Sequence, residues 1–315
     1  MQRISFVIPC YRSALTIEKV VDEIKATMPS LKEYDYEIIL VNDSSPDDTF
    51  EVIKKLALED DKILAINLAR NFGQHAALMA GFRHTTGDIV VALDDDGQTP
   101  ADEVGKLIAK LEEGYDVCYA KYDHKKHSTF RNFGSKVNER MTRIMLGKSK
   151  ELYISSYFAV KRFILNDMLR YENCYPYVIG LVLRTTKNIC NVDVNHRERE
   201  VGTSGYTMKK LLALWMNGFT AFSVVPLRIA TYFGLFCAAA GFVYTIVTIV
   251  RKIIDNQAPM GYPTLICAVM IIGGVLMMML GLIGEYIGRM YITMNNAPQY
   301  VIKDVVGKGF EEEKG

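Results

Sequence analysis

Two stretches of the chain contain no Asp, Glu, Lys or Arg: residues 229–250, closed by Arg251 and Lys252, and residues 256–284. At about 1.5 Å per helical residue, each is long enough to cross a hydrocarbon layer of about 30 Å. Such length without a charge is rare in the helices of soluble proteins. The segment RKIIDNQAPMGYP between the runs carries two prolines and turn-forming Asp and Asn, so it reads as a tight loop. Two spans joined in this way return the C-terminal tail to the side from which the chain entered. The expected organisation is a first domain over 1–206, an interfacial segment over 207–228, a two-helix transmembrane hairpin over 229–288 and a tail over 289–315.

The interfacial segment TMKKLLALWMNGFTAFSVVPLR is apolar with a basic start and holds Trp215, which suits a helix lying at a membrane surface. At the other end, MQRISFVIP becomes strand-like at once and leaves no room for a basic region followed by a signal-peptide core. The expectation is a multi-pass protein of the cytoplasmic (inner) membrane, with the first domain and both termini cytosolic. A net charge of +1 gives no basic excess for nucleic acid, so membrane lipid is the expected large partner. Six scattered cysteines without a C-x-x-C or a grouping with histidine suggest neither a disulfide framework nor a zinc site.

Within the first domain, strand-like and helix-like stretches alternate. ISFVIP (4–9), YEIILVN (36–42), ILAINL (63–68), DIVVALD (88–94) and DVCYA (116–120) are short and rich in β-branched residues, as expected of strands covered on both faces. Helix-like stretches lie near 16–28, 47–59, 74–85 and 100–113. That order predicts right-handed βαβ crossovers and a mostly parallel, Rossmann-like sheet, in which ligands bind beyond the carboxyl ends of the strands. Those ends read PCYRS, NDSSPDDT, ARNFGQH and DDDGQTP. No G-x-G-x-x-G is present, and LGKS at 146–149 has Thr142 where a phosphate loop needs its leading glycine. A basic stretch at 128–147, with Arg131, Lys136, Arg140 and Arg143, reads first as a solvated helix face.

The run IVVAL delivers three adjacent acids to the rim where a ligand would sit. Asp94 and Asp96, at alternate positions, can present carboxylates to one hard cation, with the Gln98 amide oxygen beside them. Oxygen donors of this kind suit Mg2+ or Mn2+ carried with a diphosphate.

Taken in order, VIPCYRS, IILVNDSSPDDT, LARNFGQHAALMAGFRHTTGD, VALDDDGQTP, REVGTSGY and FSVVPLR, followed by the two apolar runs, resemble a family 2 glycosyltransferase. Within that family the chain is most similar to bacterial polyprenyl-phosphate glycosyltransferases, relatives of dolichyl-phosphate mannose synthase. The resemblance runs through about residues 3–300. It implies an A-type glycosyltransferase domain followed by interfacial and transmembrane helices, with a UDP- or GDP-type sugar donor and polyprenyl phosphate as acceptor. By similarity, Pro9, Tyr11 and Asp43 line the base and ribose pocket. Asp94, Asp96 and Gln98 match the D-x-D-x-Q pattern that holds metal and diphosphate, and Asp95 is a ribose or sugar contact. Arg199 and Ser204 fall in the R-x-x-G-x-S motif of a loop over the phosphates, and Arg131 is placed on the acceptor phosphate. Asp94, Asp96 and Arg199 form the implied catalytic set. A homo-oligomer and a downstream flippase are compatible partners.

The chain departs from the pattern in three places. Arg12-Ser13 stands where relatives often have Asn-Glu, and Gly205 replaces a usual lysine. No acid lies between Leu152 and Arg162, where many relatives carry an Asp. A lipid monophosphate has its second pKa near about 6, so it reaches neutral pH largely ionised and needs no base, whereas a sugar hydroxyl does. The expected reaction is therefore inverting transfer of one sugar to polyprenyl phosphate. Transfer to a glycan or glycerolipid hydroxyl is the alternative, and a catalytically dead scaffold for a flippase is a third.

Overall fold

A computed structural model describes residues 1–122, 151–195, 225–254, 261–295 and 297–307. It divides into Met1–Leu211 with Asn296–Gly315, and Leu212–Asn295.

The first unit is built on strands β1 (Gln2–Cys10), β2 (Tyr34–Asn42), β3 (Ile63–Leu68), β4 (Ile89–Ala92), β5 (Val117–Tyr122), β6 (Phe158–Lys161), β7 (Ile189–Val194) and β8 (Ile302–Val306). Its helices are α1 (Ile17–Thr27), α2 (Thr49–Glu59), α3 (Gln74–Arg83), α4 (Val104–Glu112), α5 (Arg162–Met168) and α6 (Val178–Thr185). The strands form one sheet in the order β7-β5-β6-β4-β1-β2-β3-β8. The β1–β2, β2–β3, β1–β4 and β5–β7 pairs are parallel. β6 enters antiparallel between β4 and β5, and β8 adds an antiparallel edge beside β3. The sheet is thus mostly parallel, as the alternating pattern predicts.

The central strands are buried almost throughout, because helices cover both faces and leave no side for polar alternation. α1 turns Ile17, Val20, Val21 and Ile24 inward at helical spacing, and α4 does the same with Val104, Leu107, Ile108 and Leu111. These side chains join Phe6, Ile8, Ile38, Leu40 and Val91 in one core. That packing fixes the carboxyl ends of β1, β2 and β4 side by side.

The second unit contains two long helices, α7 (Val225–Ile254) and α8 (Tyr262–Met294). Among the described residues, Ile271–Ile292 of α8 is long and apolar enough to cross a membrane, with a mean hydropathy of 1.8 and none of it buried. In α7 the apolar stretch by the same measure is the shorter Ala230–Tyr244. Of the two expected spans, one therefore meets the criterion of length and composition among the described residues. Where the helices approach, a Cβ at Gly234 would lie 3.4 Å from the Met279 Sδ.

Candidate active site

The carboxyl ends of β1, β2 and β4 are stitched together by hydrogen bonds from the residues that the motifs single out. The Tyr11 N–H donates to the Asp95 Oδ2 at 2.9 Å, and the Thr16 hydroxyl donates to the Asp95 carbonyl at 2.6 Å. The Asp43 N–H donates to the Cys10 carbonyl at 3.0 Å. Pro9 precedes this rim in β1, opposite Val41 of β2, while the Tyr11 side chain is exposed beside it.

Asp43 is buried, and its two oxygens accept the N–H groups of Phe72 (2.7 Å) and Gly73 (2.8 Å). Burial pushes its carboxyl up, and these two N–H donors pull the other way. Two non-glycine residues adopt left-handed backbone next to it, Arg12 (φ 59°) and Ser44 (φ 50°). Such conformations cost about 1–3 kcal/mol each and gather where function demands a particular loop shape. The Arg12 N–H donates to the Ser45 Oγ at 2.8 Å, tying one strained turn to the other.

The acid run turns at Gly97, whose φ of 73° suits a residue without a Cβ. Asp94 is gripped from two sides: the Gln74 Nε2 donates to its Oδ1 at 3.1 Å, and the Ser156 hydroxyl donates to its Oδ2. The Asp96 Oδ1 accepts the Gln98 N–H at 3.1 Å. The Asp95 carboxylate instead meets the Tyr11 N–H. Burial pushes its carboxyl up to about 6, opposed by the Tyr11 N–H and reinforced by the charges of Asp94 and Asp96. Burial also pushes the Tyr122 phenol up, and Asp94, Tyr153 and Asp96 add to the effect, so a second aromatic hydroxyl lies close to the acids.

The structure thus brings Pro9, Tyr11, Asp43, Asp94, Asp95, Asp96 and Gln98 to one rim. Arg131, Arg199 and Ser204 lie outside the described residues. Sequence reasoning missed Gln74, Ser156, Thr16 and Tyr122. Gln74 stands inside the strand-end motif ARNFGQH, whereas Ser156 reaches Asp94 only through the fold. Among the described residues no three His, Cys, Asp or Glu side chains form a ready-made cation cage. A hard cation carried by a diphosphate needs none, because one or two carboxylates plus phosphate oxygens complete its shell. The half-buried, mutually repelling oxygens of Asp94 and Asp96 fit that requirement.

Among the cysteines, Cys10 and Cys118 are free and buried, and burial pushes both thiols well up.

Residues 5–169 match the family described as Glycosyl transferase family 2, and residues 225–290 match GtrB C-terminal hairpin. The chain is 35% identical over 98% of its length to an undecaprenyl-phosphate 4-deoxy-4-formamido-L-arabinose transferase of Proteus mirabilis, of which it covers 95%. It is 31% identical over 96% of its length to the uncharacterized glycosyltransferase YkcC of Bacillus subtilis, of which it covers 94%. Among solved structures, glucosyl-3-phosphoglycerate synthase of Mycobacterium tuberculosis, in complex with Mn2+ and UDP-glucose, matches 70% of this chain and 77% of its own. Its TM-score is 0.53 at 21% identity, a likeness of fold.

Proposed function

The chain belongs to glycosyl transferase family 2, and from that premise we propose that it is an inverting transferase moving one sugar from a UDP- or GDP-type donor to polyprenyl phosphate at the cytosolic membrane face. The observation that carries this reading is the reach of the likeness. Relatives that bear the undecaprenyl-phosphate transferase name match 98% of the chain, hairpin included. The membrane arrangement belongs to the same proposal. Residues 1–206 form the cytosolic catalytic domain, 207–228 lie at the interface, and α7 and α8 form the hairpin that brings the site to the lipid head group.

On this reading Tyr11 and Asp43 receive the base and ribose, with Asp95 holding the loop between them. Asp94, Asp96 and Gln98 offer oxygens to Mg2+ or Mn2+. A cation bound there supplies charge neutralisation to the departing diphosphate. Gln74 and Ser156 keep the Asp94 carboxylate aimed, and Arg199 and Ser204 would meet the phosphates. Arg131 would bind the acceptor phosphate through its planar fork. The acceptor arrives already ionised, so the chain needs to orient it and exclude water rather than remove a proton from it.

The test is transfer by the full-length protein in detergent, from radiolabelled UDP- and GDP-sugars to a polyprenyl phosphate as sole acceptor. A divalent-dependent, mild-acid-labile lipid product is expected. A product formed only with glycan or glycerolipid hydroxyls would overturn the assignment.

A further inference from the structure

β8 lies against β3 with Asp304 paired to Asn67. The Asn67 Nδ2 donates to the Asp304 Oδ2 at 2.8 Å, and the Asn42 Nδ2 donates to the Asn67 Oδ1 at 2.8 Å. The Ser45 N–H in turn donates to the Asn42 Oδ1 at 3.2 Å. Asn42 and Asn67 are buried, so each amide must find its partners inside the protein.

The row has a direction, and Asp304 sets it. An ionised carboxylate only accepts hydrogen bonds, so the Asn67 amide must turn its nitrogen toward Asp304 and its oxygen toward Asn42. Asn42 is then forced to spend its nitrogen on Asn67 and to leave its oxygen for the Ser45 N–H. Bonds aligned head to tail in a buried row reinforce one another. The far end of the row is Ser45, which follows left-handed Ser44 and accepts the N–H of left-handed Arg12. A second tie runs in parallel. The Ala69 N–H donates to the Val301 carbonyl at 2.8 Å, fixing the start of the turn whose Phe72 and Gly73 N–H groups hold Asp43.

We infer that Asp304 is a positioning residue for the donor nucleotide, acting through Asn67 and Asn42 to hold the Ser44–Ser45 turn. The strand that follows α8 in the sequence is then part of the donor site's support. This rests on the reading of the Tyr11–Asp43 rim as the nucleotide pocket.

The experiment uses full-length Asp304→Ala and Asp304→Asn proteins, with UDP and GDP titrated in the presence of Mn2+ and the kinetics of the accepted sugar nucleotide measured. Losing the carboxylate should raise the donor KM and the nucleotide Kd roughly three- to tenfold, with kcat and the acceptor KM little changed. The Asn variant can turn its own oxygen to Asn67, so it should move in the same direction but less. If the Ala variant does not fold, Asp304→Val, which suits an edge strand and offers no acceptor to Asn67, decides. A folded variant with a lower melting temperature but unchanged donor KM and Kd overturns the inference, as does a fall confined to kcat. Asp43→Ala separates the two levels. If it also leaves nucleotide binding intact, the pocket reading fails; if it abolishes binding while the Asp304 variants do not matter, only the present inference fails.

Discussion

Replacing Asp95 by Asn should stabilise the ligand-free protein at neutral pH. The Asp95 carboxyl titrates near about 6 in the fold rather than at its ordinary 3.8. Holding it ionised at pH 7 therefore costs on the order of 3 kcal/mol, and partial contact with water trims this to about 2 kcal/mol. Between these two values the native state binds more protons than the unfolded chain, so stability falls as pH rises through the window and stays low above it. Asn is nearly isosteric, and its side-chain oxygen still accepts the Tyr11 N–H now held at 2.9 Å. Asp95→Asn should thus raise the melting temperature at pH 7.5 in EDTA by roughly 4–8 °C for a domain of this size. It should also shrink the decline of the wild type between pH 4 and 6, leaving the smaller part contributed by the raised Asp43 carboxyl. Added Mn2+ with UDP or GDP should narrow the gap by stabilising the wild type more. An Asp95→Asn protein that melts lower than the wild type at pH 7.5, or one with the same pH profile, would refute the assignment of a burial cost to the ionised form of this carboxyl.

Removing either donor from Asp94, as Gln74→Ala or Ser156→Ala, should weaken apparent Mn2+ affinity roughly two- to tenfold, read by Mn2+ titration of nucleotide binding as well as by turnover. Gly87→Ala should cost about 1–3 kcal/mol, because its Cβ would lie 2.6 Å from the Ser5 Oγ, 2.7 Å from the Arg3 carbonyl and 2.8 Å from the Ser5 nitrogen. The melting temperature should drop while kcat holds, since Gly87 stands at the amino end of β4, away from the acids. Leu280→Arg places a charge inside Ile271–Ile292, where the side chain is exposed. If α8 spans a bilayer, insertion becomes about 2.5–3.5 kcal/mol less favourable, and the membrane-bound fraction should fall on carbonate extraction. Unchanged recovery in the membrane pellet would count against the span.

The strands with short β-branched runs were legible because a sheet covered on both faces leaves a simple apolar signature, and the rim followed from the rule that ligands meet carboxyl ends. β8 was not foreseen, although Ile302–Val306 alternates in burial along its length. Its Lys303 and Asp304 dilute the apolar signal, and its partner β3 lies far off in sequence, a pairing that no local pattern encodes. β6 escaped for a related reason: FAVK is only four residues long and runs antiparallel between β4 and β5, which the alternating βαβ order does not anticipate. At the site, the residue types that bind oxygen-rich ligands could be read directly. The contacts that aim them could not, because Ser156 reaches Asp94 across the fold.

That last contact bears on the acid missing between Leu152 and Arg162. The segment carries adjacent hydroxyls at Ser155 and Ser156, and the second donates to Asp94. A carboxylate in place of Ser156 would face Asp94 with like charge, raising the affinity of one of them for a proton and weakening the hold on its orientation. A hydroxyl instead stabilises the ionised Asp94 and leaves its charge available to a cation. On the proposed reading, the arrangement suits metal and diphosphate binding better than proton abstraction. On the proposed reaction nothing is lost by that choice, because a phosphate monoester attacks as the anion it already is at neutral pH. The same arrangement would handicap transfer to a hydroxyl, which needs a base, because Asp43 and Asp95 already accept backbone N–H groups and Asp94 already accepts from Gln74 and Ser156.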